Sequence, residues 1–518
     1  MISRDRLLEE AEDASRIWDI LVIGGGATGL GTALDAAARG YRTLLLEQSD
    51  FAKATSSRST KLIHGGVRYL RQGDLPLLRE SLRERGLLLR NAPHCVRRLP
   101  FVVPAYSTWD KPFYGIGLTI YDKLSGRWSL GPSRILSREE TLAVLPALQP
   151  EGLRGGVRYF DAQFDDSRLA LSLLQTFLSL GGIALNYVRV RELLKTGGRV
   201  QGASAEDGET GREYRLRARV VINATGIFTD SIRAMDQADA PPMMTTSQGV
   251  HLVLPEAFLP GGYAVMIPKT DDGRVLFAIP WHGRVLVGTT DTPVPGPVLD
   301  PAPLEEEIEF LLEHAGRYLI RGPAREDLLS VYAGIRPLAR GKPGAKTSRI
   351  SRNHVLTVSP SGLVTITGGK WTTYRQMAED AVDLAAKIAS LEPRACKTRS
   401  LVLQSQGESA GEGHPAGLRD LVAEQTDWEQ PLHPALPYLR AEVIRAARWE
   451  MARTVEDVLA RRLRALILNA RAAQDCAAAT AALLAQELGR DEAWAQQQTA
   501  VFRRLAESYL PVGQIPHA

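Results

Sequence analysis

The sequence predicts an α/β protein: a nucleotide-binding βαβ unit, then antiparallel strands, then a helical end. Three observations carry this. The run Asp19-Ile20-Leu21-Val22-Ile23-Gly24-Gly25-Gly26-Ala27-Thr28-Gly29-Leu30-Gly31 reads as a buried strand, a glycine turn and a helix start. Thr43-Leu44-Leu45-Leu46 adds a second strand, closed by Glu47. Residues 245–360 hold short apolar runs (Val250 to Leu254, Ala264 to Pro268, Val275 to Ile279, Val285 to Thr289) broken by Gly, Asp and Pro. After Gln404 to Gly417, the best linker candidate, the pattern is helical.

Each element of the βαβ unit has a physical role. Gly24 permits the tight turn, Gly26 lets the backbone approach a pyrophosphate, and Gly29 allows close helix–strand packing. The helix start, with Thr28, offers N–H groups and a positive dipole end to phosphates. Glu47 suits two ribose hydroxyls and repels a 2′-phosphate. Two more strand-to-glycine turns follow, at Asn223-Ala224-Thr225-Gly226 and at Thr367-Gly368-Gly369. One such turn suits any dinucleotide. Three spread along the chain suit FAD, whose two ends need backbone from separate strands, although the later two also read as ordinary strand ends.

Composition sets bounds. The chain has 518 residues, 44% hydrophobic and 24% charged, an ordinary globular balance with room for about three domains. A net charge of +4 is too weak to argue for nucleic acid, but fits an anionic substrate or membrane surface. Cys95, Cys396 and Cys476 form no metal or iron–sulfur spacing, and no metal is expected. Met1 to Arg16 lacks the apolar core of a secretory signal, and no apolar stretch is long enough to span a bilayer.

The expected organisation is an N-terminal arm over 1–16 and an interleaved region over 17–400. Within that region the cofactor pieces are about 17–110, 150–245 and 330–400, and the substrate pieces about 111–149 and 246–329. A linker over 401–414 and a helical domain over 415–518 follow, with helical runs Glu442 to Asn469, Ala472 to Leu488 and Glu492 to Tyr509. Earlier helices are expected at Leu75 to Arg90 and Asp166 to Leu180, and an antiparallel meander at Val188 to Val221.

The loop Thr55-Ser56-Ser57-Arg58-Ser59-Thr60-Lys61-Leu62-Ile63-His64-Gly65-Gly66-Val67-Arg68-Tyr69-Leu70 crowds hydroxyls, glycines and cations together. It reads as a wrap for a pyrophosphate or flavin edge, or as a solvated basic loop. Arg68 has the fork geometry for a phosphate or carboxylate. His251 lies within a strand, where a histidine serves structure as readily as catalysis. Arg336 sits between Ile335 and Pro337 at a strand end. Lys370 follows two glycines at a helix start, where a cation opposes the dipole and calls for an anion.

Taken together these segments resemble the FAD-dependent glycerol-3-phosphate dehydrogenases. The resemblance rests on the glycine fingerprint, the 55–70 loop, Leu87 to His94, Asn223-Ala224-Thr225-Gly226, His251, Ile279-Pro280-Trp281 and Gly288-Thr289-Thr290-Asp291. It continues in Gly334-Ile335-Arg336-Pro337-Leu338, Gly368-Gly369-Lys370-Trp371-Thr372-Thr373-Tyr374-Arg375 and the helical stretch Ala452 to Arg462. It covers most of 17–380. It implies a Rossmann-like FAD-binding domain, an antiparallel-sheet substrate domain and a C-terminal helical domain. It also implies oxidation of sn-glycerol 3-phosphate to dihydroxyacetone phosphate, with electrons passed to a membrane quinone.

By the same resemblance Arg68, Tyr69, Arg352, Lys370 and Thr372 hold the substrate phosphate, and His251 and Arg336 act at the carbinol, with His64 a competing base. FAD is held by Gly24, Gly26, Thr28, Gly29, Glu47, Thr55, Ser56, Lys61, Leu62, His64, Thr225, Gly226, Gly334, Gly369 and Lys370. A cytoplasmic protein attached peripherally to the inner face of the cell membrane is implied, the homodimer being left open. The basic, aromatic stretch Lys111 to Arg127 is the candidate contact, or a solvated surface. Two departures stand out: Arg58, read as a surface difference, replaces an expected small residue, and Asn353-His354 replaces an acid–aromatic pair. A glycerophosphate oxidase using oxygen and a non-catalytic flavin-binding protein are the alternatives.

Overall fold

Two β-sheets share one chain that passes repeatedly between them. The computed structural model describes residues 4–13, 16–66, 73–268, 270–271, 273–340, 354–405 and 417–511. The first sheet runs in the order His354–Val358, Val364–Gly368, Glu213–Asn223, Trp18–Ile23, Thr43–Leu46, Ile183–Leu185. Its last five strands pair in parallel, and His354–Val358 is an antiparallel edge. The central strand Trp18–Ile23 is apolar and almost wholly buried, as a strand covered on both faces must be. The helices Ala27–Ala38, Asp166–Ser179 and Tyr374–Ile388 pack on one side of it. On the other side, Val188–Thr196 and Arg199–Asp207 complete the expected antiparallel meander with Glu213–Asn223.

The second sheet is mostly antiparallel. Its spine is Met244–Pro255, paired on one edge with Ser330–Ala339 and on the other with Arg284–Gly288. Val96–Ala105, Gly155–Phe164 and the short Leu62–Ile63 extend it. Thus 96–105, 155–164 and 330–339, placed by sequence with the cofactor pieces, pair instead into this sheet. Most of their backbone partners lie 50 residues or more away, as in Ala105 with Gly155 and Ala264 with Phe101, which local patterning does not reveal.

The helical end departs from the sequence reading. The expected helix Glu442 to Asn469 is broken into Arg440–Trp449, a π-helical turn Asp457–Arg462 and Ala465–Leu468. The breaks fall at Met451 and Arg464, both with positive φ. The cause is electrostatic: the arginines of this stretch point inward. Arg461 and Arg462 both donate to the buried Asp50 carboxylate, and Arg464 donates to Asp166 at 2.9 Å. A straight helix cannot direct three nearly consecutive guanidinium groups into one interior, because it spreads consecutive residues around its axis. The linker also begins later than expected, since Leu403 is buried and its N–H bonds Asn91 O at 2.7 Å.

Asp50 follows Glu47 by three residues, so its two arginines fasten the helical end to the nucleotide-binding unit. Their charge holds the Asp50 carboxyl down to about 2 against the opposing effect of burial. Replacing one member of a buried ion pair strands the other, at about 3–5 kcal/mol. Asp50→Ala is therefore expected to lower unfolding free energy by about that amount, measured by urea denaturation monitored by tryptophan fluorescence.

Candidate active site

The parallel strands end in a cleft of about 370 Å³, lined by Gly24, Gly26, Thr28, Glu47, Ser56, Thr225 and Gly226 among others. Gly24 has φ +111°, the conformation the turn demands. A Cβ at Gly29 would lie 1.8 Å from Gly24 O, so the helix can approach the strand only with glycine there. Gly29 is not among the residues lining this cleft and serves that packing. Glu47 accepts hydrogen bonds from the N–H groups of Gly25 (2.6 Å) and Ser49 (2.9 Å), which fixes its carboxylate at the strand end; burial raises its pKa. The Ala27 N–H donates to Ser56 Oγ at 2.9 Å, so the 55–57 turn closes over the start of the Ala27–Ala38 helix.

A second cavity of about 880 Å³ adjoins the first, sharing Thr55, Pro337, Gly369, Lys370 and Trp371. Leu62, His64, His251, Gly334, Arg336 and Thr372 all reach its wall. His251 and Arg336 sit on neighbouring strands, Met244–Pro255 and Ser330–Ala339. The Arg336 guanidinium is held by Thr289 Oγ1 (2.9 Å), Thr290 O (2.8 Å) and Asp291 (3.2 Å). Gly249 is glycine because a Cβ there would meet that guanidinium at 2.2 Å. Thr372 is buried, its hydroxyl 3.4 Å from His64 O, just beyond Lys370 at the head of a short 3₁₀ turn. Arg68, Tyr69 and Arg352 lie outside the described residues.

Two readings change. Lys61 reaches neither cavity. Its ammonium is fully buried, donating to Asp166 (2.6 Å) and Ser57 O (2.7 Å), and burial pulls it down to about 7. Arg58 is not a surface difference: it is buried, donates to Leu299 O at 2.6 Å and pairs with Asp300. Its backbone packs so close to Gly334 that a Cβ there would lie 2.8 Å from Arg58 O.

His251 is buried and its imidazole lies parallel to the Tyr332 ring, 4.8 Å apart at 8°. Nε2 is 2.9 Å from Thr60 Oγ1. Burial, then Lys61 and Arg336, hold its pKa well below 6.5. The sequence reading passed over Thr60 and Tyr332; the only cue was Thr60's place in the hydroxyl-rich loop.

A glycine-built nucleotide cleft, open to a second cavity with a neutral imidazole and a fixed guanidinium, defines a flavoprotein oxidoreductase. The comparisons bear this out. The model of the FAD-dependent oxidoreductases matches residues 19–375, and that of the C-terminal domain of alpha-glycerophosphate oxidase matches 416–495. The human mitochondrial glycerol-3-phosphate dehydrogenase is 40% identical, over 97% of this chain and 75% of its own length. The Schizosaccharomyces pombe enzyme of the same name is 37% identical, over 95% and 87%. The structure of glycerol-3-phosphate dehydrogenase from Bacillus halodurans complexed with FAD superposes with a TM-score of 0.77 at 28% identity, covering 99% of both chains. The chain belongs to the FAD-dependent glycerol-3-phosphate dehydrogenase family. It is an enzyme with FAD as cofactor, and the glycine cleft fits that group.

One pH dependence follows from His251. The folded ring stays neutral below pH 6.5 whereas the unfolded ring binds a proton, so the folded state loses stability as pH falls through that value. Unfolding free energy is expected to fall between about pH 7 and about pH 5, and His251→Gln to flatten that slope in urea titrations at both pH values.

Proposed function

We propose that the enzyme oxidises sn-glycerol 3-phosphate to dihydroxyacetone phosphate and passes the electrons to a membrane quinone. The observation that carries this is the shared wall of the larger cavity, where His251, Arg336, Lys370 and Thr372 meet beside the nucleotide cleft. A phosphate monoester carries close to two negative charges, so cations are its natural receptor. In this reading Lys370 and Thr372, with Arg68, Tyr69 and Arg352, hold the phosphate and thereby orient C2. FAD, when bound, supplies the hydride acceptor. The neutral His251 takes the C2 hydroxyl proton. Arg336, pre-set by Thr289, Thr290 and Asp291, stabilises the developing alkoxide. Gly24, Gly26, Thr28, Glu47, Thr55, Ser56, Thr225, Gly226 and Gly369 cradle the dinucleotide, with Gly29 setting the helix that presents it.

The quinone and membrane parts rest on the helix Asp110–Ser125. Among the described residues no helix is long and apolar enough to cross a membrane. This one leaves Trp109, Phe113 and Ile116 exposed at 81%, 60% and 65%, with Lys111, Lys123 and Arg127 close by in the chain. Its Phe113, Ile116 and Ile120 also line the larger cavity, so an apolar acceptor would meet lipid and the site along one element.

Anaerobic glycerol 3-phosphate is expected to bleach the flavin, while glycerol is not. Air alone should recolour it slowly and a quinone quickly; rapid recolouring in air with peroxide release would identify an oxidase instead. Arg336→Ala should retain flavin and lose about 10²–10³ in kcat; unchanged turnover would remove Arg336 from the site. Binding to anionic vesicles should weaken with salt, and with Lys111→Glu and Lys123→Glu, in flotation assays.

A further inference from the structure

We propose that Thr60 is the positioning residue for His251: its Oγ1 accepts the Nε2 proton, so that Nδ1 keeps its lone pair. This rests on the reading of His251 as the base. A neutral imidazole carries one N–H, and the hydrogen bond made by one nitrogen decides the state of the other. Nε2 lies 2.9 Å from Thr60 Oγ1. Nδ1 is buried and has no hydrogen-bond partner among the described residues. A proton on Nδ1 would be a buried donor without an acceptor, at a cost of about 1–3 kcal/mol; on Nε2 it is satisfied.

Both sides of this contact are rigid. The ring is stacked on Tyr332, and it occupies the space over Gly288, where a Cβ would come within 2.2 Å of the imidazole Cδ2. Thr60 is flanked by two anchored residues. Ser59 donates through N–H (3.1 Å) and Oγ (2.7 Å) to Asp166, and Lys61 Nζ donates to the same carboxylate. The Tyr332 hydroxyl donates to Ser59 O at 2.9 Å, so the stacking surface and the threonine turn are tied together. Lys61, Arg336 and Tyr332 are the titratable or charged groups around the ring. The arrangement is the base-plus-orienter logic of hydrolytic triads with a hydroxyl as the orienter.

The test compares Thr60→Val and Thr60→Ser as holoenzymes. Valine keeps the shape and removes the acceptor. Thr60→Val is expected to lower kcat about tenfold or more, the scale of one lost hydrogen bond, with KM for glycerol 3-phosphate nearly unchanged. The acid limb of its kcat–pH profile should move to lower pH, because the imidazolium loses an acceptor. Thr60→Ser should restore both. Independently of turnover, ¹⁵N-histidine NMR, assigned with His251→Asn, should show Nε2 protonated and Nδ1 unprotonated in the resting enzyme. The reverse assignment, or a folded Thr60→Val with wild-type kcat and pH profile, overturns the proposal. If glycerol 3-phosphate fails to bleach the wild-type flavin, the reading of function falls while the NMR result still decides the tautomer.

Discussion

The Asp166 carboxylate is the constraint on which the site depends. It lies at the start of the helix Asp166–Ser179 and is completely buried. Lys61 and Arg464 both pair with it, and Ser59 bonds it twice. A carboxylate in that position without cations would be prohibitively costly, and either cation without it equally so. The cluster therefore behaves as one unit. It pins the 57–61 turn, and through that turn it sets Thr60 against His251 and the Ser59 carbonyl against Tyr332. Asp50, with Arg461 and Arg462, repeats the design a few residues after Glu47.

These clusters divide the labour of the hydroxyl-rich loop. Thr55 bonds Ile335 O, tying the loop to the strand that carries Arg336. Ser56 accepts the Ala27 N–H at the nucleotide cleft. Ser59 takes Asp166 and Thr60 takes His251. One short segment thus joins both cavities and ties the two sheets together where the cavities meet. Arg58 strengthens the join by packing its backbone on Gly334 and its guanidinium on Asp300.

What could be read from sequence was local. The glycine spacing at 24, 26 and 29, the acid at 47 and the turns after Asn223 and Thr367 depend on residues within a few positions of one another, and each appears in the structure where that logic puts it. The meander and the helix Asp166–Ser179 follow from period and composition in the same way. The rest depends on pairings across the chain. Arg464 meets Asp166 over 298 positions and Arg462 meets Asp50 over 412, and nothing near either arginine signals its partner. Composition predicts one helical run over Glu442 to Asn469, whereas Arg461, Arg462 and Arg464 within it are interior and the run is broken. Lys61 shows the same limit: nothing near it in the chain signals that its ammonium is buried against Asp166, 105 positions away. Five loop hydroxyls are chemically alike, so only three-dimensional neighbours distinguish Thr60 from Ser57.

The arginines that neutralise Asp50 and Asp166 also impose an order of events during synthesis. A ribosome makes the two acids first and the three guanidinium groups some 300 to 400 residues later. Until those emerge, Asp50 at the end of the βαβ unit and Asp166 lack the arginines that pair with them in the folded chain. Maturation of the flavin cradle is thereby coupled to completion of the chain, and a truncated polypeptide would be left open to chaperones and proteases rather than persist as a half-built oxidoreductase able to leak electrons.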